Sequence, residues 1–170
     1  VQAVCDLPLQ LDTSDPVALE RALRIYNGRP LINSVNGGAE SMAAVFPLAK
    51  KYGAAVVALT LDEGGIPSTA AGRIAIAEKI LATAKTYGLS EQDLIVDALA
   101  MTVSTGPDNA AVALETLDYV RHRLGMQTVL GVSNISFGLP RREKITAAFF
   151  TLAMGRGLSA GIVNPGEAAI

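Results

Sequence analysis

Cysteine is nearly absent: Cys5 stands alone among 170 residues. No disulfide can close within the chain and no cysteine-rich metal site can form; a reducing, cytoplasmic setting fits that usage. Basic residues never gather into a run and the net charge is −2, so the electrostatic footprint of a nucleic-acid binder is missing. Long apolar stretches are missing too. The longest, Ala54 to Leu61 and Ala147 to Met154, are far too short to span a bilayer. Residues Val1 to Leu7 have neither the charged start nor the apolar core of a signal peptide. There is no G-x-G-x-x-G and no Walker sequence, which weakens the case for a doubly wound nucleotide-binding sheet.

Half of the residues are hydrophobic and the mean hydropathy is +0.36. Such a chain suits an α/β protein whose parallel strands are buried on both faces, or a piece of a larger domain with apolar surface left uncovered. Short apolar runs alternate with helical patterns. Strands are expected at Leu9–Asp12, Leu31–Asn33, Ala55–Leu61, Leu94–Asp97, Thr128–Val132 and Gly161–Val163. Between them lie five helices, each followed by glycine. The first is capped by Asp15 with Pro16 at its first position. The second spans about 40–52, the third follows a Ser68 cap and runs to about Tyr87, the fourth spans about 108–124, and the fifth runs from near Pro140 to near Gly155. Val1–Cys5 reads as the tail of a preceding helix.

This repeat predicts a (β/α) barrel. Asp12, Asn33, Asp62, Asp97, Asn134 and Asn164 fall at or just past the C-terminal ends of the six strands. In a barrel those ends converge on one mouth, where active sites lie. Each residue alone is explained as readily by the liking of Asp and Asn for turns; the set favours a shared site. An eight-stranded barrel usually takes about 250 residues, so six strands predict a partial barrel with two βα units absent.

The motifs at the strand ends carry a resemblance. Leu11-Asp12-Thr13-Ser14-Asp15-Pro16, Ile32-Asn33-Ser34-Val35-Asn36-Gly37, Leu59 to Pro67, Ile95-Val96-Asp97, Gly131 to Pro140 and Ile162-Val163-Asn164-Pro165 follow in order across essentially the whole chain. Together they resemble strands three to eight of the pterin-binding domain of cobalamin-dependent methionine synthase and its methyltetrahydrofolate:corrinoid methyltransferase relatives. The resemblance implies a (β/α)8 TIM barrel of the pterin-binding type, here partial, and a single methyltransferase domain over residues 1–170. Dihydropteroate synthase is the alternative within the superfamily. Its late lysine and arginine-histidine signature is replaced here by Ser133-Asn134 and Val163-Asn164. A non-catalytic barrel fragment is the third reading.

The resemblance implies that Asp12, Asn33 and Asp97 hydrogen-bond the pterin and that Asn134 reaches its N5. The chemistry agrees. A pterin edge offers a ring N–H beside an amino group, and a carboxylate offers two parallel acceptors to match. Methyl transfer from N5 needs positive charge to build on that nitrogen. An asparagine can stabilise that charge, although it cannot supply the proton. Asp62, Ser133 and Asn164 are secondary candidates. Ala98 stands where the family usually has proline after the aspartate, and further pterin contacts of the family lie on the two strands not represented.

Methyltetrahydrofolate is the implied substrate, and a cobalamin or corrinoid carried by a partner domain or protein is the implied methyl acceptor. A homocysteine-activating domain is a further implied partner. No metal is expected on this chain, no nucleic acid and no membrane; a homo-oligomer is left open. Asn33–Gly38 and Thr102–Gly106 look closer to the methionine synthase type. Three other features read as structural: His122 on the last turns of a helix, where a cation suits the dipole; Cys5 as a buried thiol; and Phe149, Phe150 and Met154 as an apolar packing face.

Overall fold

The computed structural model describes residues 1–166. Six strands, β1 (Gln10–Asp12), β2 (Leu31–Asn36), β3 (Ala55–Leu59), β4 (Leu94–Asp97), β5 (Gln127–Gly131) and β6 (Ala160–Ile162), alternate with five helices. These are α1 (Pro16–Ile25), α2 (Ala39–Tyr52), α3 (Ala70–Thr86), α4 (Asn109–His122) and α5 (Arg142–Gly155). All six strands are parallel and pair in chain order. Sequential parallel strands with a helix in each connection are the product of right-handed βαβ crossovers. The sheet curls into a half-barrel, consistent with part of a TIM barrel, with the helices on its convex side. Among the described residues no helix is long and apolar enough to cross a membrane.

Alternation along the strands divides the side chains between the two faces. Ile32, Val35, Val56, Ala58, Leu94 and Val96 pack outward against Leu19, Phe46, Ile76 and Ile80 of the helices in one cluster. A second cluster joins Leu130 and Val132 to Leu117 and Phe149. Each large side chain so buried contributes about 1.5–3 kcal/mol. Intervening residues line the concave face. In register these are Asp12, Asn33, Val57 and Ile95 in one row and Asn36, Leu59, Asp97 and Val129 in the next.

Several boundaries depart from expectation. β2 runs to Asn36, three residues past Asn33, because a bulge between Asn33 and Val35 absorbs Ser34. Val35 thereby returns to the core and Asn36 to the concave face. The cap of α3 is Thr69, not Ser68: Thr69 Oγ1 accepts from Gly72 N at 3.2 Å, and the helix opens at Ala70. α5 starts at Arg142, since Arg141 holds a left-handed φ of +54°. Val1–Val4 form a single turn closed by Val4 N to Val1 O, not a helix tail. Cys5 is half-buried among polar neighbours rather than buried in the core. In the apolar stretch of α5, Phe149 is buried and Met154 is 51% exposed, because Met154 lies off the face that meets the sheet.

Candidate functional site

Several hydrogen bonds converge on the buried end of β4. Asp97 is its last residue, 8% exposed, on the concave face. Its carbonyl accepts from both Thr60 N, at 3.2 Å, and Thr60 Oγ1, at 3.0 Å. Its carboxylate Oδ1 accepts from Leu99 N at 2.8 Å, while among the described residues Oδ2 takes no hydrogen bond. Burial pushes the Asp97 carboxyl up to about 6, against the lowering pull of the Leu99 N–H and the Arg73 charge. Leu99 itself sits at φ +57°. That conformation costs a non-glycine residue roughly 1–2 kcal/mol, so the surrounding bonds must hold it.

Arg73 supplies some of them. This guanidinium, 1% exposed, donates from Nε to Pro67 O at 3.0 Å. From Nη1 it donates to Ala98 O at 2.7 Å and Leu99 O at 2.6 Å. Burial lowers its pKa and the Asp97 charge raises it; an arginine stays cationic in either case. Neither Thr60 nor Arg73 is evident as a site residue in the sequence. The one available signal was a lone cation inside the apolar stretch Ala70–Ala77.

Asp12 and Asn33 meet at the ends of β1 and in β2. Asn33 Nδ2 donates to Asp12 Oδ2 at 3.1 Å. They stand on the same concave face as Asp97, with β3 between β2 and β4. Two strand spacings put β2 and β4 about 10 Å apart. Val57, Leu59 and Ile95 make an apolar floor between them. A cleft of about 430 Å³ opens beside Asp12, Asn33 and Asn36 toward Ser34, Glu40 and Ser41. Asp97 lies outside that cleft, on the open floor of the half-barrel.

Asn134 follows β5 on a 3-10 turn, Val132–Ser136. It is exposed, and its amide makes no hydrogen bond among the described residues. The side chain folds back over β5: a Cβ at Gly131 would meet Asn134 Nδ2 at 2.9 Å. The turn beneath it is pinned from two sides. Arg142 Nη2 donates to Ser133 O at 3.0 Å and its Nε to Ser136 Oγ at 3.2 Å. From the loop after β4, Thr102 Oγ1 donates to Phe137 O at 2.6 Å, and Val103 N to Ile135 O at 3.0 Å.

The secondary candidates are held in turns. Asp62 Oδ1 accepts from Gly64 N at 2.9 Å, and its backbone pairs with Gly65. Asn164 Oδ1 accepts from Gly166 N at 3.0 Å. Ser133 contributes its carbonyl to the Arg142 clamp. Glu63, next to Asp62, accepts from Ala39 N at 3.0 Å and so caps α2; its own N–H and that of Ala39 hold its carboxyl below the ordinary range. His122 lies exposed at the end of α4, its Nδ1 3.1 Å from Asp118 O. Among the described residues no three His, Cys, Asp or Glu side chains group as a metal site.

The model of the family described as "Pterin binding enzyme" matches residues 1–164. The chain belongs to the pterin-binding enzyme family. Its relatives include a methionine synthase of Mycobacterium tuberculosis, 36% identical over 93% of this chain and 14% of that protein. The methionine synthase of Mycobacterium leprae is 34% identical over 95% of this chain and 14% of that one. A methylcorrinoid:tetrahydrofolate methyltransferase of Eubacterium limosum is 29% identical over 97% of this chain and 62% of that protein. This pterin-binding chain thus spans a small part of the methionine synthases and less than two thirds of the Eubacterium limosum protein. The fold is shared with Xanthomonas albilineans dihydropteroate synthase, solved with 4-aminobenzoic acid, at a TM-score of 0.75 and 20% identity. That likeness covers 98% of this chain and 65% of the synthase.

Proposed function

We propose that this domain binds methyltetrahydrofolate on the concave face of its half-barrel and presents the N5 methyl group to a corrinoid carried by a partner domain or protein, as in methionine synthesis. The observation that carries this reading is Asp97: a nearly buried carboxylate above an apolar floor, one oxygen fixed by Leu99 N and the other without a hydrogen bond among the described residues. A carboxylate so placed is suited to the paired donors of a pterin edge. Asn33 and Asp12, about 10 Å across the sheet, offer mixed donors and acceptors to the far side of a flat ring.

In the transfer, the N5–methyl bond breaks and its electron pair stays on N5, which takes up a proton delivered by water. The acceptor supplies the pair that forms the new bond to the methyl carbon. Asn134, with a free amide, stabilises the charge at N5. Asp62, Ser133 and Asn164 shape loops in this scheme. The six strands correspond to strands three to eight of an eight-stranded barrel, and the two remaining βα units would complete the wall around the ring. The relatives named as methionine synthases and as a methylcorrinoid:tetrahydrofolate methyltransferase support the methyl-transfer branch.

Calorimetric titration with methyltetrahydrofolate tests the reading. One saturable site, weakened at least tenfold by Asp97→Ala, is the expected result. A wild-type chain that unfolds cooperatively and binds no folate, with or without two further βα units placed ahead of it, overturns it. Release of pyrophosphate from a pterin pyrophosphate would instead indicate a condensing synthase.

A further inference from the structure

Arg73 is an improbable residue for its position. It lies in the first turn of α3, where a helix dipole disfavours a cation, and it is 1% exposed, where an unpaired charge would be costly. No carboxylate lies within salt-bridge distance of it among the described residues. Its partners are three main-chain carbonyls: Pro67, in the segment leading into α3, and Ala98 and Leu99, immediately after β4. The guanidinium thus ties the entry to α3 to the loop that follows β4.

The tie falls on the residue that most needs it. Leu99 holds a left-handed φ of +57°, and its N–H reaches Asp97 Oδ1 at 2.8 Å. The carbonyl of the same residue is the 2.6 Å partner of Arg73. The Ala98 carbonyl, which Arg73 Nη1 meets at 2.7 Å, shares one planar peptide unit with the Leu99 N–H, so a continuous path runs from the guanidinium through that peptide to the carboxylate. Ala98, not a proline, stands in this turn, so no ring stiffens it covalently. Ala98 leaves the task to hydrogen bonds.

We propose that Arg73 is a positioning residue: by clamping the Ala98 and Leu99 carbonyls it holds the strained turn that aims the Asp97 carboxylate across the concave face. The consequence for folate binding rests on the function proposed above, whereas the clamp itself does not.

Two readouts separate these levels. The first is amide hydrogen exchange in the unliganded chain. Arg73→Gln, or Arg73→Lys where glutamine fails to fold, speeds exchange at Leu99 by about tenfold or more and leaves Val57 and Val96 in the strands unchanged. The second is methyltetrahydrofolate titration. The same variants lose about ten- to a hundredfold in affinity, the scale of a displaced contact group. Adding Leu99→Gly, which removes the conformational strain, restores most of it. Unchanged exchange at Leu99 overturns the clamp, and so does loss of cooperative unfolding in both variants, which would make Arg73 a residue of the core alone. Faster exchange with unaltered folate affinity, or a loss that Leu99→Gly does not rescue, overturns the link to Asp97. A wild-type chain that binds no folate counts against the proposed function, while the exchange result still decides the clamp.

Discussion

The ends of β4 and β5 carry two residues of one proposed site by opposite means. Asp97 is nearly buried, its carbonyl doubly bonded to Thr60 and one carboxylate oxygen fixed by Leu99. Asn134 is exposed, its amide without a hydrogen bond among the described residues. Yet the loops beneath them are fixed alike, each by a guanidinium on main-chain oxygen: Arg73 under β4 and Arg142 under β5. Rigid backbone is thus common to both, and the difference lies in the side chains. A group that recognises an unchanging edge gains from being desolvated and fixed in advance. One that follows charge as it develops on N5 must accept in one state and donate in another, which a free amide can do.

The sharpest way to break this comparison is to remove the charge at β4. Asp97→Asn keeps an oxygen for Leu99 N but presents a donor where the pterin edge also donates. Folate affinity is expected to fall by about 10³-fold, since a charged hydrogen bond is lost and an unmatched polar group created. Stability should move the other way. The folded-state pKa of about 6 lies above the ordinary 3.8, so the stability this group contributes is full below about pH 4 and is lost as pH rises through 6. Asparagine does not titrate. Denaturant melts at pH 4 and pH 7.5 should therefore show the variant gaining on wild type at the higher pH, by on the order of 2–3 kcal/mol. No gain would mean that the carboxylate is better solvated than its burial implies.

At β5 the expectation is kinetic. Asn134→Ala should slow methyl transfer to a corrinoid acceptor by about 10²-fold, with folate affinity changed only a few-fold, because the contact strengthens as N5 charges. Single-turnover rates beside equilibrium binding separate the two. A rate within about threefold of wild type would remove Asn134 from the chemistry.

How much of this was legible in the sequence follows the same division. Periodicity and punctuation gave all six strands and five helices, because each βα unit is a local pattern closed by a cap or a glycine: Asp15 before α1, Gly53 at φ +65° after α2. The residues at strand ends were visible for the same reason. What was not visible depends on contacts between units. The bulge that carries β2 on to Asn36 exists because Val35 must return to the helix layer, a demand set by β3. Arg73 and Thr60 act on a loop about 25 and 37 residues away, and nothing in local spacing joins them. Arg141 turns left-handed where Pro140 suggested a helix start, because the clamp by Arg142 sets the entry to α5.

The smallest expected effect tests the freedom of Asn134 itself. Gly131 has an ordinary φ of −73°, so alanine there carries no backbone penalty, and the added Cβ meets only Asn134 Nδ2, at 2.9 Å, and Cγ, at 3.7 Å. That amide is the far end of a side chain with no hydrogen bond among the described residues, so it can swing away at little cost. Gly131→Ala should leave the melting transition within about 0.5 kcal/mol of wild type. The rate of methyl transfer should drop by about three- to tenfold, a fraction of what deleting the side chain costs. If the amide were merely idle on the surface, displacing it would change nothing. If it were rigidly held, the variant would lose stability as well as rate. A loss of rate alone is the signature of a group that is free to move and has one productive place to be.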